Sequence, residues 1–400
     1  MKIHYFNPGH ETAVLNASPY YMAPANVVAM QRELAFLPAW YGERNDLVLV
    51  EDRADEYYKW LAKNLPGLPK PLITEEINNY PDAEISLWGV SPQSVHFFEE
   101  LKNKYETDLV IPEWKDNYLY LNSRLAAHDC LIALIKQIPL LSESVIPHFY
   151  TQLEDISKIV ETSPYQLLAK APYSSSGRGL LWLPVTGLTR TENQILHGII
   201  KKQGNVSVER VLDKQVDFAM EFISDGNGGI EFVGYSLFHT NIKGGYEYNY
   251  IDSQKNIENI LTEKIAPPLL NNVKENLIKI LSEKYSPLYK GCIGVDMLIY
   301  KEDNEYKLQP CLEINMRYNM GYLAYYLSKN LVVPDSRGKF YIDFSPKDEE
   351  TYINHLQMKK EFPIFIENGK IKYGYLSLVP VTKSNRYRAY ILIEKPEILS

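Results

Sequence analysis

The stretch that decides the fold occupies residues 291–321 and reads GCIGVDMLIYKEDNEYKLQPCLEINMRYNMG. Two runs with regularly spaced apolar residues, 292–300 and about 306–316, flank a polar segment at 302–305. Apolar residues at every second position are typical of half-buried strands, and the Glu, Asp and Asn residues between the runs are typical of a turn. The stretch therefore predicts a β-hairpin.

The pairing of the two strands follows from the length of the turn. A two-residue turn at 303–304 makes Asp296 face Cys311 and Gly294 face Glu313. Asp296 is then a diagonal neighbour of Glu313, at roughly 7–8 Å between the two backbones. A turn of odd length would exchange the faces, so this register depends on the two-residue turn.

Oxygen-bearing side chains share one face of the predicted hairpin. Asp296, Glu313 and Asn315 point the same way, and Arg317 follows one step further along. Two carboxylates and an amide oxygen are hard ligands that suit Mg²⁺, which fills its other positions with phosphate oxygens and water. Taken singly, these residues are better explained as solvated carboxylates and a surface ion pair. The joint pattern favours a site, because the opposite faces are apolar enough to bury the strands and buried carboxylates need partners.

These residues also carry a family resemblance. Gly-Val-Asp at 294–296, followed by Glu-Ile-Asn-Met-Arg at 313–317, resembles the metal-binding strand pair of the ATP-grasp superfamily. In that family an acidic residue on one strand precedes Glu-x-Asn-x-Arg on the next. The resemblance implies that Asp296, Glu313 and Asn315 bind Mg²⁺, and that Arg317 is a catalytic residue that stabilises the transferred phosphoryl group.

Length and composition indicate a globular protein. With 400 residues, 45% of them hydrophobic and 23% charged, the chain is expected to form two or three subdomains. A net charge of −8 argues against a nucleic-acid scaffold, and the cysteines lack metal-binding spacing. We expect a cytoplasmic protein, since no apolar run reaches membrane-spanning length and a first strand from Lys2 leaves no room for a signal peptide.

The N-terminal third alternates short strands with helices, which predicts a parallel α/β unit. Ligands of such sheets bind at the carboxyl ends of the strands, where Asn7, Gly9, His10 and Glu11 follow the first strand and 88–89 follow a later one. No dinucleotide-binding GxGxxG motif is present. The resemblance implies a pre-ATP-grasp domain that helps to bind the acceptor, with His10 and Glu11 as candidate substrate residues. Ordinary loop polarity explains these two residues equally well.

A glycine- and serine-rich loop lies between two apolar strands at 166–170 and 180–183. Its backbone N–H groups are suited to cradling phosphate oxygens, although the Walker A pattern is absent. The loop resembles the glycine-rich lid of ATP-grasp proteins, which implies catalytic roles for Lys170 and Arg178. A plain flexible hairpin is the alternative. The implied nucleotide-binding residues of the loop are Lys170, Ser174, Ser175, Ser176, Gly177 and Gly179.

Other nucleotide-binding residues are implied by the resemblance alone. Arg124, in the first turn of a helix predicted at 121–136, takes the place of the phosphate-reaching lysine of the family and adds a planar fork. Glu209, Val211 and Leu212 occupy the places of the adenine hinge, and Asp217 that of the ribose-binding residue. An edge strand with alternating charges explains this last segment almost as well.

Two further segments have less specific patterns. Residues 239–252 are interpreted as a mobile loop near the cleft, with Asn241 and Lys243 as candidate substrate residues, although a surface hairpin explains them slightly better. Residues 339–344 and 364–393 predict strands of an appended β-rich element.

The expected architecture combines α/β and α+β folds. It consists of a parallel pre-ATP-grasp α/β domain at 1–120, a small ATP-grasp subdomain with the lid at 121–208, a metal- and nucleotide-binding subdomain at 209–335, and a β-rich C-terminal extension at 336–400. The resemblance covers about residues 121–329, and its parts fall in the order of the family.

The implied function is that of a carboxylate-amine ligase that uses ATP and Mg²⁺. A small-molecule carboxylate would be activated as an acylphosphate and attacked by an amine or similar nucleophile. A small-molecule kinase with the same Mg·ATP site and a nucleotide-binding module without turnover are the alternatives. We expect small-molecule partners, no nucleic acid and no membrane, and the oligomeric state is left open, with a homodimer among the options.

Overall fold

A computed structural model describes residues 1–174, 177 and 179–395 of the chain. These residues form two compact units, each discontinuous in sequence. The first contains Met1–Lys115, Glu247–Ile257 and the residues from Arg317 onward, and the second contains Asp116–Tyr246 and Glu258–Met316. The four domain boundaries given above stay a prediction.

The strands of the described residues are β1 (Lys2–Tyr5), β2 (Leu47–Leu49), β3 (Lys70–Leu72), β4 (Glu84–Leu87), β5 (His148–Tyr150), β6 (Leu167–Lys170), β7 (Leu180–Leu183), β8 (Val206–Arg210), β9 (Asp213–Asp225), β10 (Ile230–Thr240), β11 (Tyr246–Ile251), β12 (Lys290–Glu302), β13 (Glu305–Asn315), β14 (Gly338–Phe344), β15 (Phe365–Glu367), β16 (Lys370–Ser377) and β17 (Tyr387–Ile393). The α-helices are α1 (His10–Asn16), α2 (Ala25–Glu33), α3 (Asp55–Asn64), α4 (Pro92–Lys104), α5 (Asn117–Leu121), α6 (Arg124–Gln137), α7 (Leu153–Thr162), α8 (Arg190–Gln203), α9 (Gln254–Thr262), α10 (Pro267–Ile280), α11 (Met320–Tyr326) and α12 (Glu350–Glu361). In the part of the chain that the structure describes, none of these helices combines the length and apolar character needed to cross a membrane.

The N-terminal sheet of the first unit is parallel, with the strand order β3-β2-β1-β4. The parallel α/β prediction is confirmed. Strand β3 was not predicted, because it has only three residues and contains Pro71, which an edge strand tolerates. Since β2 and β4 lie on opposite sides of β1, the ends of β1 and β4 form a switch point, where ligands of parallel sheets bind. The core contains Ile3, Leu49, Leu72, Ile85 and Phe98.

The later strands of the first unit are antiparallel and pair in the order β11-β14-β17-β16-β15. The predicted strands of the C-terminal extension are present, but helix α12 within it was not predicted. Residues Tyr246–Ile251 form strand β11 after the turn that follows β10, which agrees with the surface hairpin and not with the mobile loop. The signal was available, since tyrosines at 246, 248 and 250 have the two-residue period of a strand.

The second unit begins with an antiparallel sheet of order β5-β8-β6-β7. The segment 206–221, treated as one element in the sequence, is divided between this sheet and the next one: β8 ends at Arg210 and β9 begins at Asp213. The buried core of the small sheet and of helices α7 and α8 includes Ile156, Leu167, Leu183, Leu196 and Val206.

The other strands of the second unit are antiparallel and pair in the order β13-β12-β9-β10. Their interior positions are fully buried, among them Phe218, Phe222, Ile293 and Ile299. Helix α6 packs against β13, where the Cys311 Sγ donates a hydrogen bond to the Ala127 carbonyl at 3.4 Å. This arrangement buries one side of the predicted hairpin and leaves the face of Asp296 partly exposed.

Candidate active site

The hairpin of β12 and β13 has the predicted two-residue turn. Glu302 pairs with Glu305, and Asp303 and Asn304 adopt φ of 50° and 65°, the left-handed conformation that a type I′ turn requires. The predicted register is confirmed from this turn to Leu298 paired with Gln309, but it is wrong beyond that pair. The next pair away from the turn is Asp296 with Glu313. Between these two pairs, β12 advances by two residues and β13 advances by four.

The two additional residues of β13 form an irregularity around Pro310, which cannot donate a ladder hydrogen bond. Gln309 uses its side-chain carbonyl to accept from the Cys311 N–H at 2.8 Å. Beyond this point Asp296 lies directly opposite Glu313, instead of opposite Cys311. Because the shift is an even number of residues, the predicted faces are retained.

The oxygen-bearing side chains are therefore closer together than the predicted register allowed. Directly opposed residues have Cβ atoms about 4.5–5.5 Å apart. Gly294 pairs with Asn315, and the Asn315 Nδ2 donates to the Asp296 Oδ2 at 3.2 Å. All three polar side chains are half-buried. Two carboxylates opposed in this way repel each other, and a cation between them relieves that repulsion.

Arg124 supplies a cation beside Glu313. It is the first residue of α6, and its Nη2 lies 3.3 Å from the Glu313 Oε2. The same guanidinium donates from Nε to the Ala171 carbonyl at 3.0 Å and from Nη2 to the Ser174 Oγ at 3.3 Å. The structure thus brings three predicted site residues together: Arg124, Ser174 of the lid and Glu313.

A third carboxylate, which belongs to no recognised motif of the sequence, lies on this face. Glu221 of β9 pairs with Gly294, which also pairs with Asn315, so these three positions form one row across the sheet. Glu221 is 1% exposed. The sequence carries a signal for it, since a buried Glu within an apolar strand needs a partner, but only the strand order places it in this row.

The residues present fit a magnesium site of limited size. Among the described residues, no group of three or more His, Cys, Asp or Glu side chains is arranged to hold a metal ion. A metal ion at this position would be held by the carboxylates of Asp296 and Glu313 with the amide of Asn315. Mg²⁺ commonly takes one or two protein carboxylates and leaves its other positions to phosphate and water.

The predicted lid connects two paired strands of the small sheet. Lys170 of β6 pairs with Leu180 of β7, and the Ala171 N–H donates to the Gly179 carbonyl at 2.9 Å, which closes the base of the loop. Gly179 is required there, because a Cβ would lie 2.4 Å from the Ser174 side chain. Ser175, Ser176 and Arg178 lie outside the described residues.

Lys170 forms a buried ion pair with the first hinge residue. Its Nζ lies 2.5 Å from the Glu209 Oε1, and the two side chains are 8% and 13% exposed. The pairing follows from the sheet, in which β8 runs antiparallel to β6 and Leu168 pairs with Glu209. Two residues that the sequence assigned separately to phosphate and adenine are therefore in direct contact.

The other predicted nucleotide-binding residues lie between β8 and β9, at Val211 and Leu212, and within β9, at Asp217. The Val211 N–H donates to the Gln166 carbonyl at 2.8 Å, and Val211 and Leu212 are half-buried. Asp217 is 9% exposed and accepts from the Lys214 Nζ at 2.7 Å and from the Thr240 Oγ1 at 2.7 Å. Asp217 is thus held within β9 by two neighbouring side chains.

The turn that holds Asn241 and Lys243 lies against the lid. A Cβ added to Gly177 would be 2.6 Å from the Gly244 carbonyl oxygen, so the two backbones are in contact. The Asn241 Oδ1 accepts from the N–H groups of Lys243 and Gly245, both at 3.0 Å, which shapes the turn. Lys243 itself is exposed.

His10 and Glu11 are both buried in the first unit. The Asn7 side chain holds Gly89 through two hydrogen bonds, with Nδ2 donating to the carbonyl at 2.7 Å and Oδ1 accepting from the N–H at 3.1 Å. A Cβ on Gly89 would lie 2.4 Å from the His10 ring, which shows how closely the ring packs on this glycine. The predicted residues at the strand ends thus pack on one another at the switch point.

Arg317 also lies in the first unit, two residues beyond the end of β13. Its Nε donates to the Glu11 Oε1 at 2.5 Å. Burial by itself raises the pKa of the Glu11 carboxyl, but the charges of Arg317 and His10, with hydrogen bonds, outweigh it and hold the pKa below its usual value. No sequence signal linked these two residues, which are separated by more than three hundred positions.

Comparisons with known proteins concern the fold. No protein-family model matches the sequence, and no curated protein matches it. A biotin carboxylase from Campylobacter jejuni, solved in complex with β,γ-ATP, is 10% identical at a TM-score of 0.53, over 98% of this chain and 87% of that chain. A second structure is the biotin carboxylase domain of Hydrogenobacter thermophilus 2-oxoglutarate carboxylase, solved as a dimer with MgADP, ADP and bicarbonate. It is 11% identical at a TM-score of 0.52, over 99% of this chain and 86% of that chain. The chain therefore has the ATP-grasp fold, as the motif at 294–296 and 313–317 predicts.

Proposed function

We propose that the protein is an ATP-dependent ligase that activates a small-molecule carboxylate as an acylphosphate for attack by an amine or a similar nucleophile. The observation that carries the proposal is the direct pairing of Asp296 with Glu313, with the Asn315 amide bonded to Asp296 and the Arg124 guanidinium beside Glu313. Such a cluster of opposed carboxylates and one cation is suited to a metal-bound polyphosphate.

Asp296, Glu313 and Asn315 would hold Mg²⁺, as the ligand set described above allows. Bound with ATP, the ion supplies charge neutralisation at the β- and γ-phosphates. Arg124 adds a planar donor fork that suits a phosphate oxygen. Its contacts with Ala171, Ser174 and Glu313 fix the guanidinium between the lid and the metal-binding strand.

Lys170, Glu209 and the lid would hold the nucleotide. The ammonium of Lys170, kept in place by Glu209 at 2.5 Å, is positioned at the base of the loop that contains Ser174, Gly177 and Gly179. Ser175, Ser176 and Arg178 of the same loop are assigned by the family resemblance alone. Closing the lid would exclude water, which protects a reactive acylphosphate from hydrolysis.

Val211, Leu212 and Asp217 are proposed to hold the adenosine. The half-buried segment between β8 and β9 would contact the adenine, and Asp217, with its carboxylate oriented by Lys214 and Thr240, would accept from the ribose. His10, Asn241 and Lys243 are further proposed, from the sequence alone, to contact the acceptor.

The reaction would proceed in two steps. A carboxylate oxygen of the substrate attacks the γ-phosphorus in line, the bond to the β,γ-bridging oxygen breaks and ADP leaves. The amine then attacks the carbonyl carbon of the acylphosphate, inorganic phosphate leaves and the amine loses a proton. Arg317 is the proposed stabiliser of the transferred phosphoryl group and of the tetrahedral intermediate.

The solved carboxylases with the same fold support nucleotide use, since each was obtained with ATP-type or ADP ligands. One of them is a dimer. A cytoplasmic location, a homodimer and the four-part domain division given by the sequence are further proposals for this chain.

The test is a screen of amino acids and other small carboxylates for ADP release in the presence of Mg·ATP, with and without amines. Hydroxylamine replaces the amine and traps an acylphosphate as a hydroxamate. We expect hydroxamate and free phosphate from at least one carboxylate. A phosphorylated hydroxyl product without hydroxamate would indicate a kinase. Thermal stabilisation by Mg·ATP without ADP in any mixture would indicate a binding module.

A further inference from the structure

The ion pair between Glu11 and Arg317 connects helix α1, which follows the first strand of the N-terminal sheet, to the last residue of the Glu-x-Asn-x-Arg motif. The Arg317 Nε donates to the Glu11 Oε1 at 2.5 Å, and its Nη1 donates to the Tyr318 carbonyl at 3.1 Å. The Glu11 side chain is 11% exposed and that of Arg317 is 16% exposed. A guanidinium is planar and rigid, so two fixed nitrogens determine the orientation of the whole group.

Both partners are attached to the switch point of the parallel sheet. Helix α1, which carries Glu11, begins immediately after the loop that follows β1, and Asn7 in that loop is doubly hydrogen-bonded to Gly89. On the other side, the Tyr318 N–H donates to the Trp88 carbonyl at 2.9 Å. The pair is therefore fixed to the ends of β1 and β4.

Aromatic packing restricts the chain on either side of this contact. Tyr318 stacks on Tyr41 with ring centroids 4.4 Å apart and an interplanar angle of 17°, and it also packs at 6.2 Å against Trp88. Tyr322, at the start of α11, packs against Tyr41 at 5.5 Å. The backbone that carries Arg317 is thus held by the sheet independently of the ion pair.

We propose that Glu11 is a positioning residue, which holds the Arg317 guanidinium in the orientation needed to bind the anionic groups of the acyl-transfer step. This inference rests on the proposed function, since Arg317 has a catalytic role only within it. An unrestrained arginine has many rotamers, and fixing it before the reaction avoids that entropic cost in the transition state.

The chain offers a matched control for the inference. Glu33 in the same unit has the same whole-residue exposure as Glu11, 8%, but its carboxylate accepts from the backbone N–H groups of Arg386 and Tyr387, both at 2.8 Å, and from the neighbouring Arg32 Nη2 at 3.1 Å. Its hydrogen bonds hold two segments of the fold together and involve no motif residue. Glu33→Gln is expected to lower stability and to leave kcat within about twofold of wild type below the unfolding transition.

The test compares Glu11→Gln, Glu11→Asp and Glu33→Gln in the full chain with the carboxylate substrate found by the screen. For Glu11→Gln we expect a decrease in kcat of about 10–100-fold, as for residues that orient a functional group, with little change in KM for ATP. Glu11→Asp retains the charge and is expected to recover part of kcat. A normal kcat in Glu11→Gln would overturn the inference.

A second measurement does not depend on turnover. Phenylglyoxal modifies accessible arginines, and peptide mass analysis reports the rate at Arg317. We expect faster modification of Arg317 in Glu11→Gln than in wild type or Glu33→Gln, and an unchanged rate would contradict the positioning role. If the wild type converts no carboxylate, the proposed function fails, whereas the Arg317 rate still shows whether Glu11 holds the guanidinium.

Discussion

Asp296 and Glu313 are direct cross-strand partners, although the two-residue turn of their hairpin would by itself place Asp296 opposite Cys311. The shift comes from the two additional residues of β13 next to Pro310. It converts a diagonal pair of carboxylates into an opposed pair, which is the less favourable arrangement without a cation. The local irregularity thus concentrates negative charge at one position of the sheet, as the proposed metal-bound nucleotide would require.

Replacing Glu313 with glutamine is expected to abolish Mg·ATP-dependent turnover. The substitution removes a proposed metal ligand and the partner of Arg124, and we expect a loss of at least about 100-fold in kcat/KM. The side chain is 29% exposed, so the protein should stay folded. ADP release measures the first effect and circular dichroism the second.

Glu305→Gln, at the exposed start of the same strand, is the control and should retain normal turnover. Mg·ATP should also raise the Tm of the control but not that of Glu313→Gln, and a chelator should remove the increase. Normal turnover in Glu313→Gln would remove the metal assignment.

Lys170→Met is expected to lower both the stability of the protein and its affinity for Mg·ATP, and a double variant separates the two effects. Without the ammonium, the Glu209 carboxylate is left buried and unpaired, and the free energy of unfolding should fall by about 3 kcal/mol. In Lys170→Met/Glu209→Gln the charge is removed, so most of the stability should return while the affinity for Mg·ATP stays low. Denaturant titration and calorimetry measure the two quantities. Wild-type affinity in the double variant would show that the ion pair is structural only.

The contact between the lid and the turn at 241–245 depends on two glycines. Gly177 and Gly244 adopt φ of 75° and 77°, and a Cβ on Gly244 would lie 2.5 Å from the Leu180 Cδ1. In Gly177→Ala or Gly244→Ala the added methyl group would clash with its neighbours, so the lid and the turn at 241–245 should move apart. The expected result is faster amide hydrogen exchange at 241–246, measured by mass spectrometry.

Gly204→Ala controls for backbone strain in this experiment. Gly204 has a similar φ of 83°, but nothing lies within 4 Å of its added Cβ. Its substitution should cost only the strain of the left-handed conformation, about 1–2 kcal/mol, and should leave exchange at 241–246 unchanged. Equal exchange in Gly177→Ala and Gly204→Ala would show that the lid does not hold the turn.

His355 makes the stability of the protein depend on pH. Burial, and then the charges of Lys359 and Arg388, lower its pKa from 6.5 to about 4, and its Nδ1 lies 2.8 Å from the Tyr375 hydroxyl. Because the folded state resists protonation, the stabilisation is complete above pH 6.5 and is lost as the pH falls toward 4. The Tm of His355→Gln should therefore vary less across this window. Parallel Tm curves for the two proteins would contradict the assignment.

Several elements of the fold could be predicted because their causes are local. The alternation of strands and helices in the N-terminal third gives a parallel sheet, and Asp303 and Asn304 tolerate the positive φ of the hairpin turn. Helix α6 begins within three residues of its predicted start. Strand β3 and helix α12 were missed, because the former is very short and contains proline and the latter interrupts a β-rich segment.

The candidate site also has some features that the local sequence predicts and others that depend on the tertiary structure. The motif at 294–296 and 313–317 identified the strands, the face and the residue types from a period of two, which the sequence contains. The contacts of Arg124 with Ser174 and Glu313, and the row formed by Glu221, depend on which strands and helices become neighbours. No pattern along the chain specifies those neighbours.

By itself, the sequence predicted the ATP-grasp fold and the chemical identity of the proposed oxygen ligands, because both follow from short-range periodicity and a compact motif. Only the tertiary structure decided that Asp296 faces Glu313 and that Glu11 holds Arg317. The first depends on how β13 accommodates Pro310 between its neighbours, and the second on folding that brings residues 11 and 317 within 2.5 Å. Contacts between distant residues are set by the packing of whole elements, and that packing has no local signature.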